Sequence, residues 1–424
     1  MSLSRRLWAF RKDNPGFVFL SILTVLVVVI WPVVDAWLQG VEAIHVANYG
    51  FNDFGAYTRA VDGWLGEDPI YVENEDGGFH GSYLYPPFVL VVLYPFVWLG
   101  FHPGAVLFGA LSLFLLWVAV EAVVEQLGGE LAVVERIVLL FALFGFHPAL
   151  WDFKWGQVST LLAAGLWFAF YTFERGEAGR PRQQYASGVL TTLASSVKIF
   201  YATSGAHLLR DRKRFVSALV SAVAVLVFSV LVFGVETHRR YLDVLTWGKG
   251  WGTEQMAPFM TQTAYYRPFY LVDQLFERIG LSLPPIWIVI GTVVGVLCVV
   301  ALALLSRNEP PAARPTFALG VAVVPLLAPR AYTHDLVVLL LPAAILLSLE
   351  LDRDDGRPWL PVLAVFLLHL HSVGTSVAIH LFDRSVAVLV QPGVYGTFLL
   401  VALAAYRIAE HVEARANIAT PADG

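Results

Sequence analysis

The sequence predicts an all-α, polytopic integral membrane protein with about twelve transmembrane helices. Composition, the spacing of apolar runs and the placement of basic residues all point there. Of 424 residues, 57% are hydrophobic and 14% charged, against about 25% charged in an ordinary soluble domain. A soluble chain this apolar could not cover its own surface. Apolar runs recur at about the 20 residues needed to cross the hydrocarbon, and Arg and Lys gather between them in a way that sets orientation. A net charge of −5 excludes nucleic acid as a partner, since such binding rests on neutralising phosphates. Cys298 is the one cysteine, so neither an intrachain disulfide nor a cysteine-based metal site can form.

The first run, 17–38, follows Arg5, Arg6, Arg11 and Lys12. A basic flank before a long apolar run reads as a signal anchor with a cytoplasmic N-terminus. The run is longer than a signal-peptide core and no small-x-small cleavage site follows, so it counts as the first helix. Further runs cover 86–100, 104–127, 136–150, 157–173, 186–208, 215–233, 285–306, 316–328, 334–349, 359–382 and 385–406. An even number of crossings puts both termini in the cytoplasm. Arg210, Arg212, Lys213 and Arg214, then Arg307 and Arg314, then Arg353 and Arg357 all fall inside, as does the tail after Arg407.

One loop disagrees. Residues 174–184 carry Arg175, Arg180 and Arg182, yet simple counting places them outside. Either the positive-inside rule is broken there or a segment nearby is re-entrant, and 151–157 and 195–200 are the candidates, because each sets a lysine within apolar sequence. Two stretches, 39–85 and 236–284, are long enough to be structured outer loops. In the first, 53–65 places Phe54, Tyr57, Val61, Trp64 and Leu65 at helical spacing. That is an amphipathic helix for the interface, with Asn52 and Asp53 as its cap. The second holds Trp247, Trp251, Tyr265, Tyr266, Phe269 and Tyr270, an interfacial aromatic set, and 269–279 reads as another surface helix. No internal repeat is visible. Residues 1–410 form one membrane domain, and 411–424 a disordered cytoplasmic tail.

Polar groups at membrane depth cost several kcal/mol unless paired or functional, which shortens the candidate set. Asp53 and Asp62 lie in the first outer loop, which Tyr71, Tyr83, Tyr85, Pro86 and Pro87 close. Asp152, Lys154 and Gln157 sit between two runs, and Lys198 lies inside one. Gln262, Tyr266 and Arg267 belong to the second loop. Arg330, His334 and Asp335 lie between runs that meet on the outer face. An acid in the first loop serves as a general base, worth roughly 10²–10⁴-fold. Cations from other segments hold an anionic group, most naturally a phosphate on a lipid, and stabilise its departure.

Each residue also has a structural alternative. Asp53 could cap a helix, and Asp62 reads as a solvated face. Lys198 could snorkel, although mid-membrane is too deep for that. Gln157 could bridge helices, His334 could cap one, and Arg330 could anchor at the interface. His369, His371 and His380 show no metal-ligand spacing and read as packing or hydrogen-bonding residues. No acidic cluster asks for a metal, and no cofactor is expected.

The motifs then fall into a known order. Asn52-Asp53-Phe54-x-x-Tyr57, then Gly66-x-x-Pro69-x-Tyr71, then Tyr85-Pro86-Pro87 and Pro95 resemble the first outer loop of glycosyltransferase family 87. Gly156-Gln157 resembles the family's Gly-Gln. Lys198 resembles its lysine before a short apolar helix and a basic turn, with the usual proline replaced. Thr261-Gln262-Thr263 resembles an Asn-Gln-Ser motif with both neighbours changed. Pro329-x-x-Tyr332-x-His334-Asp335 resembles Pro-x-x-Trp-x-His-His with the aromatic and the second histidine substituted. The resemblance runs over about 50–340; each motif is weak alone, and their order is the specific signal.

It implies a glycosyltransferase-C type fold and a polyprenyl-phosphate sugar donor, mannose above all, used at the non-cytoplasmic face. The acceptor is a lipid or a glycan among membrane lipids. Asp53 maps onto the base. The family's late histidine maps onto His334, near the donor phosphate or sugar. The residues themselves add Lys198 and Arg330 as candidates for the donor phosphate, and Tyr57, Tyr71, Tyr85, Gln157, Gln262, Arg267 and Asp335 as candidates for substrate binding. The reaction would invert the anomeric carbon. The rival reading is a transporter or flippase of envelope biogenesis. Transporters often show two related halves, and here no second half echoes the first. A non-catalytic scaffold with a degenerate site is a third reading, kept open by the altered glutamine and histidine motifs.

Overall fold

The computed structural model describes residues 8, 10, 12–41, 49–75, 78–79, 81–249, 265–266, 276, 279–281, 286–328, 331–382 and 389–419. Helices dominate. Five are long and apolar enough to cross a membrane: Pro15–Gly40, Phe101–Gln126, Arg212–Thr246, Thr333–Leu351 and Pro392–Glu413. Two bent pairs raise the number to seven if each is one span. The remaining expected crossings are helical too, but shorter, broken or more polar than that requirement, so five to seven stand beside the expected twelve among the described residues.

The first long helix is α1 (Pro15–Val41), followed by α2 (Asn52–Gly66), the helix expected at the interface. Phe54, Tyr57 and Val61 are buried as their spacing predicts, while Leu65 is exposed. α3 (Val89–Trp98) and α4 (Phe101–Gln126) follow. Next comes a broken element, α5 (Val133–Gly145) and α6 (His147–Trp155), bent by 62°. Its break has a local cause. Phe146 is extended, and Pro148 cannot donate back into the preceding helix but suits the first turn of the next. Gly145 lets α5 approach α1 closely, since a Cβ there would meet the Val28 carbonyl oxygen at 2.0 Å.

The path from Ser159 to Arg210 replaces the expected single crossing at 186–208 with a break inside 195–200, one of the two re-entrant candidates. α7 (Ser159–Glu177) is packed on all sides, with Trp167, Phe170 and Phe173 buried. α8 (Pro181–Val197) returns alongside it and ends at Lys198, which is extended. A 3-10 helix, Ile199–Arg210, then runs back. The expected single crossing 186–208 is therefore two legs that meet at Lys198. At 1.5 Å per residue α8 spans about 25 Å, and the 3-10 leg at about 2 Å per residue spans nearly the same.

Lys198 thus sits at the apex beside the start of α7, not halfway down a crossing. The Arg-rich turn 174–184 lies at the opposite end of α7. There Arg214 reaches Glu177 at 2.6 Å, and Arg314 makes a forked bond to Glu174 at 2.6–3.1 Å. The turn shares its end of the molecule with the basic segment 210–214.

α9 (Arg212–Lys249) is kinked at Gly234, which has φ 76°, and carries helix into the stretch expected as the second outer loop. The expected helix at 269–279 lies largely outside the described residues. α10 (Ile286–Leu305), α11 (Ala313–Ala322) and the short α12 (Val324–Leu327) follow. A two-residue antiparallel ladder pairs β1 (Tyr265–Tyr266) with β2 (Ala331–Tyr332), tying the stretch expected as the second outer loop to the His334 segment.

A 3-10 turn, Thr333–Leu339, leads into α13 (Leu340–Leu351). α14 (Trp359–His369) and α15 (His371–Leu381) form the second broken pair, bent by 60°. The His147 N–H donates to His369 Nδ1 at 3.2 Å, and Trp31 packs edge-on against His369, so this histidine is a packing residue as expected. α16 (Pro392–Ala419) runs past residue 410, where a disordered tail was expected to start. Ala, Glu and Arg favour helix there, and Arg407 binds Glu350 from within it.

Candidate active site

The site forms where the start of α2, the start of α7, the end of α8 and the Thr333–Leu339 turn meet. Gly156 makes the first junction possible. It takes φ 69° to end α6, and a Cβ there would stand 2.7 Å from the Phe54 Cβ. Only glycine adopts that backbone without strain and allows α2 so close. Gly156→Ala is expected to cost about 1–3 kcal/mol of stability and to lower the melting temperature in detergent. An unchanged melting temperature would remove Gly156 from this role.

α2 is not capped by Asn52 or Asp53. Its N-cap is Phe51, in the left-handed conformation and without a side-chain cap bond. The Phe51 N–H donates to the Lys154 carbonyl at 2.9 Å, which fixes the entry of the helix. Asp53 is thereby free of capping. Among the described residues its hydrogen-bond partner is Gln157, whose Nε2 donates to Oδ2 at 2.5 Å. Burial pushes the Asp53 carboxyl up to about 6, while the Gln157 bond and the Lys198 charge pull the other way.

Around this pair stand tyrosines. Tyr57 and Tyr85 both donate to Gln157 Oε1, at 3.0 and 2.7 Å. Tyr71 donates to the Tyr85 carbonyl at 2.7 Å and packs against Tyr83, so it shapes the loop from beneath. Asp62 is exposed on α2, as a solvated face requires.

A second cluster adjoins the first. Lys198 Nζ donates to Asp335 Oδ1 at 2.5 Å and to Ser159 Oγ at 2.8 Å, and Ser159 donates to the same Asp335 oxygen at 3.0 Å. All three are buried. Lys198 also lies 5.8 Å from the centre of the Tyr85 ring, which links the two clusters. The other Asp335 oxygen accepts the Tyr332 N–H at 3.0 Å. His334 stacks on Tyr332, and its Nδ1 is buried without a hydrogen-bond partner among the described residues. Asp152 stands behind, accepting the N–H groups of Ser159 and Thr160 at 3.0 and 3.1 Å and so capping α7.

Thus Asp53, Tyr57, Tyr85, Gln157, Lys198, His334 and Asp335 come together. Asp335 is already committed to Lys198, where the sequence placed it at the substrate. Gln262, Arg267 and Arg330 lie outside the described residues. Sequence reasoning missed Ser159, Asp152 as a cap, and Asp35, which pairs with Lys154 in the core. Ser159 and Asp152 follow an available signal, since both flank Gly156-Gln157. Asp35 gives none, lying 119 residues from its partner.

Comparison with known proteins bears on this geometry. The sequence profile of glycosyltransferase family 87 matches residues 83–329. That range holds Tyr85, Gln157, Ser159 and Lys198, and leaves Asp53, Tyr57, His334 and Asp335 on either side. Two relatives are each named a polyprenol-phosphate-mannose-dependent alpha-(1-2)-phosphatidylinositol pentamannoside mannosyltransferase. The chain is 29% identical over 167 residues to that of Mycobacterium tuberculosis, covering 38% of this chain and 37% of the relative. It is 27% identical over 202 residues to that of Mycolicibacterium smegmatis, covering 46% and 47%. The aligned part thus spans less than half of either relative. No solved structure matches. Because the profile covers more than half of its length, this membrane chain belongs to glycosyltransferase family 87.

Proposed function

We propose that the chain transfers mannose from a polyprenyl-phosphate donor to a hydroxyl of a lipid- or glycan-linked acceptor at the non-cytoplasmic face. The observation that carries this reading is that a half-buried carboxylate, Asp53, is joined through Gln157 and Tyr85 to the buried Lys198–Asp335 pair beside His334. The family and the names of the two relatives supply the donor class.

In the proposed step the acceptor oxygen attacks the anomeric carbon and its proton passes to Asp53. The bond from that carbon to the phosphate oxygen breaks, and the electron pair leaves with the polyprenyl phosphate. Lys198 and His334 face the departing charge. Asp335 holds Lys198, so an arriving phosphate shares the ammonium and does not find it bare. One displacement inverts the centre, so a β-linked donor gives an α-linked product.

Two measurements test the reading. Purified protein is given labelled mannose as polyprenyl phosphate or as a nucleotide sugar. Label is expected in lipid from the first donor, and transfer from the nucleotide sugar alone would overturn the donor class. The pH profile tests the base. Asp53 must be a carboxylate to accept the proton, so transfer rises as pH passes upward through about 6 and then levels off. A profile flat across that range removes Asp53 as the base.

A further inference from the structure

Gln157 holds the most crowded amide oxygen of the site. Its Oε1 accepts from the Tyr57 hydroxyl at 3.0 Å, the Tyr85 hydroxyl at 2.7 Å and the Val158 N–H at 3.2 Å. Hydroxyls can donate or accept, so alone they would not distinguish amide oxygen from nitrogen. The Val158 N–H can only donate, and it therefore requires the oxygen to face it. With the oxygen so occupied, the amide nitrogen points to Asp53 Oδ2, at 2.5 Å.

The alternative orientation matters for the chemistry. A flipped amide would present its oxygen to Asp53, and an oxygen there favours a protonated carboxyl that can donate to it. The observed orientation presents a donor, which favours the carboxylate.

We propose that Gln157 is a positioning residue whose amide is oriented by the Val158 N–H and held in that orientation by the Tyr57 and Tyr85 hydroxyls, so that it donates to Asp53 Oδ2 and leaves Oδ1 for the acceptor hydroxyl. The sequence placed these three side chains against the substrate; here they are engaged with one another. The inference rests on the reading of Asp53 as the base, and it concerns what keeps that base ready. Tyr57 is buried and Tyr85 half-buried, so water competes poorly for either bond.

The test follows Asp53 without needing sugar transfer. A carbodiimide couples to protonated carboxyls, and peptide mass spectrometry reads coupling at Asp53 against pH in the full-length protein. The Tyr57→Phe/Tyr85→Phe double variant is expected to move the midpoint upward by about one pH unit. Its kcat falls with KM unchanged, because fewer molecules hold the carboxylate. Gln157→Glu keeps the shape and the acceptor but sets a second carboxyl against the first, so it moves the midpoint further upward.

A purely structural role would lower the melting temperature and leave the midpoint in place, and a folded double variant with an unmoved midpoint overturns the lock. Should the double variant not fold, Tyr85→Phe alone removes the shorter bond. It must shift the midpoint in the same direction, and no shift overturns the lock. A moved midpoint alongside Asp53-independent transfer supports the lock and removes the base. An unmoved midpoint alongside Asp53-dependent transfer does the reverse.

Discussion

Replacing Asp53 with asparagine is expected to cut mannose transfer by roughly 10²–10⁴-fold, the worth of a positioned general base. Asparagine keeps the size and can still meet the Gln157 amide through its carbonyl oxygen, so the loop keeps its anchor at Phe51 and Lys154. Folding should survive while the proton acceptor is gone. The kinetic signature is a fall in kcat with little change in KM, since the donor phosphate is held elsewhere. The acid limb of the pH profile should vanish as well. If the asparagine protein transferred mannose at the wild-type rate, Asp53 would hold no chemical role. The Gln157 bond would then be a plain tertiary contact between α2 and the start of α7.

The second large effect concerns Lys198 and Asp335. Breaking a buried ion pair by removing one partner costs about 3–5 kcal/mol, because the other charge stays in the core unpaired. Asp335→Leu should therefore lower the melting temperature strongly. It strands Lys198, and it also releases the Tyr332 N–H and the Ser159 hydroxyl. Lys198→Met strands Asp335 in the same way. The double variant Lys198→Met/Asp335→Leu removes both charges and should recover most of the lost stability, as apolar replacements of buried pairs often do. It should not recover transfer, because no ammonium remains to meet the phosphate. Melting temperatures and transfer rates of the three proteins separate the two roles. Recovery of both properties would make the pair structural only.

The parts of this arrangement differ in how far the sequence displays them. Helices announce themselves through composition and period, so the first run, the amphipathic α2 and the apolar segments were legible. Asp53, Gln157, Lys198 and His334 stood out as polar residues in apolar surroundings, and their convergence followed from a resemblance that no single motif could carry.

Depth was legible only in part: the basic turn at 174–184 marked 195–200 as a re-entrant candidate without deciding between it and 151–157. Lys198 sits within a run long enough to cross, and only the extended backbone at that residue turns the run into two legs. Extended backbone at one position leaves no trace in hydropathy. Capping was misleading for a similar reason. Asn52 and Asp53 are good cap residues, yet Phe51 takes the cap position because the Lys154 carbonyl, distant in sequence, holds its N–H. The buried Asp35–Lys154 pair is likewise a product of packing.

A single displacement on a lipid-linked donor, assisted at Asp53, leaves its mark in the configuration of the product. Wild-type protein is incubated with β-linked polyprenyl-phosphate mannose carrying label and with a membrane lipid extract, and the labelled lipid is digested with anomer-specific mannosidases. A single displacement gives label released by an α-mannosidase and resistant to a β-mannosidase. A β-linked product, or no labelled lipid from an extract that contains competent acceptors, would contradict it.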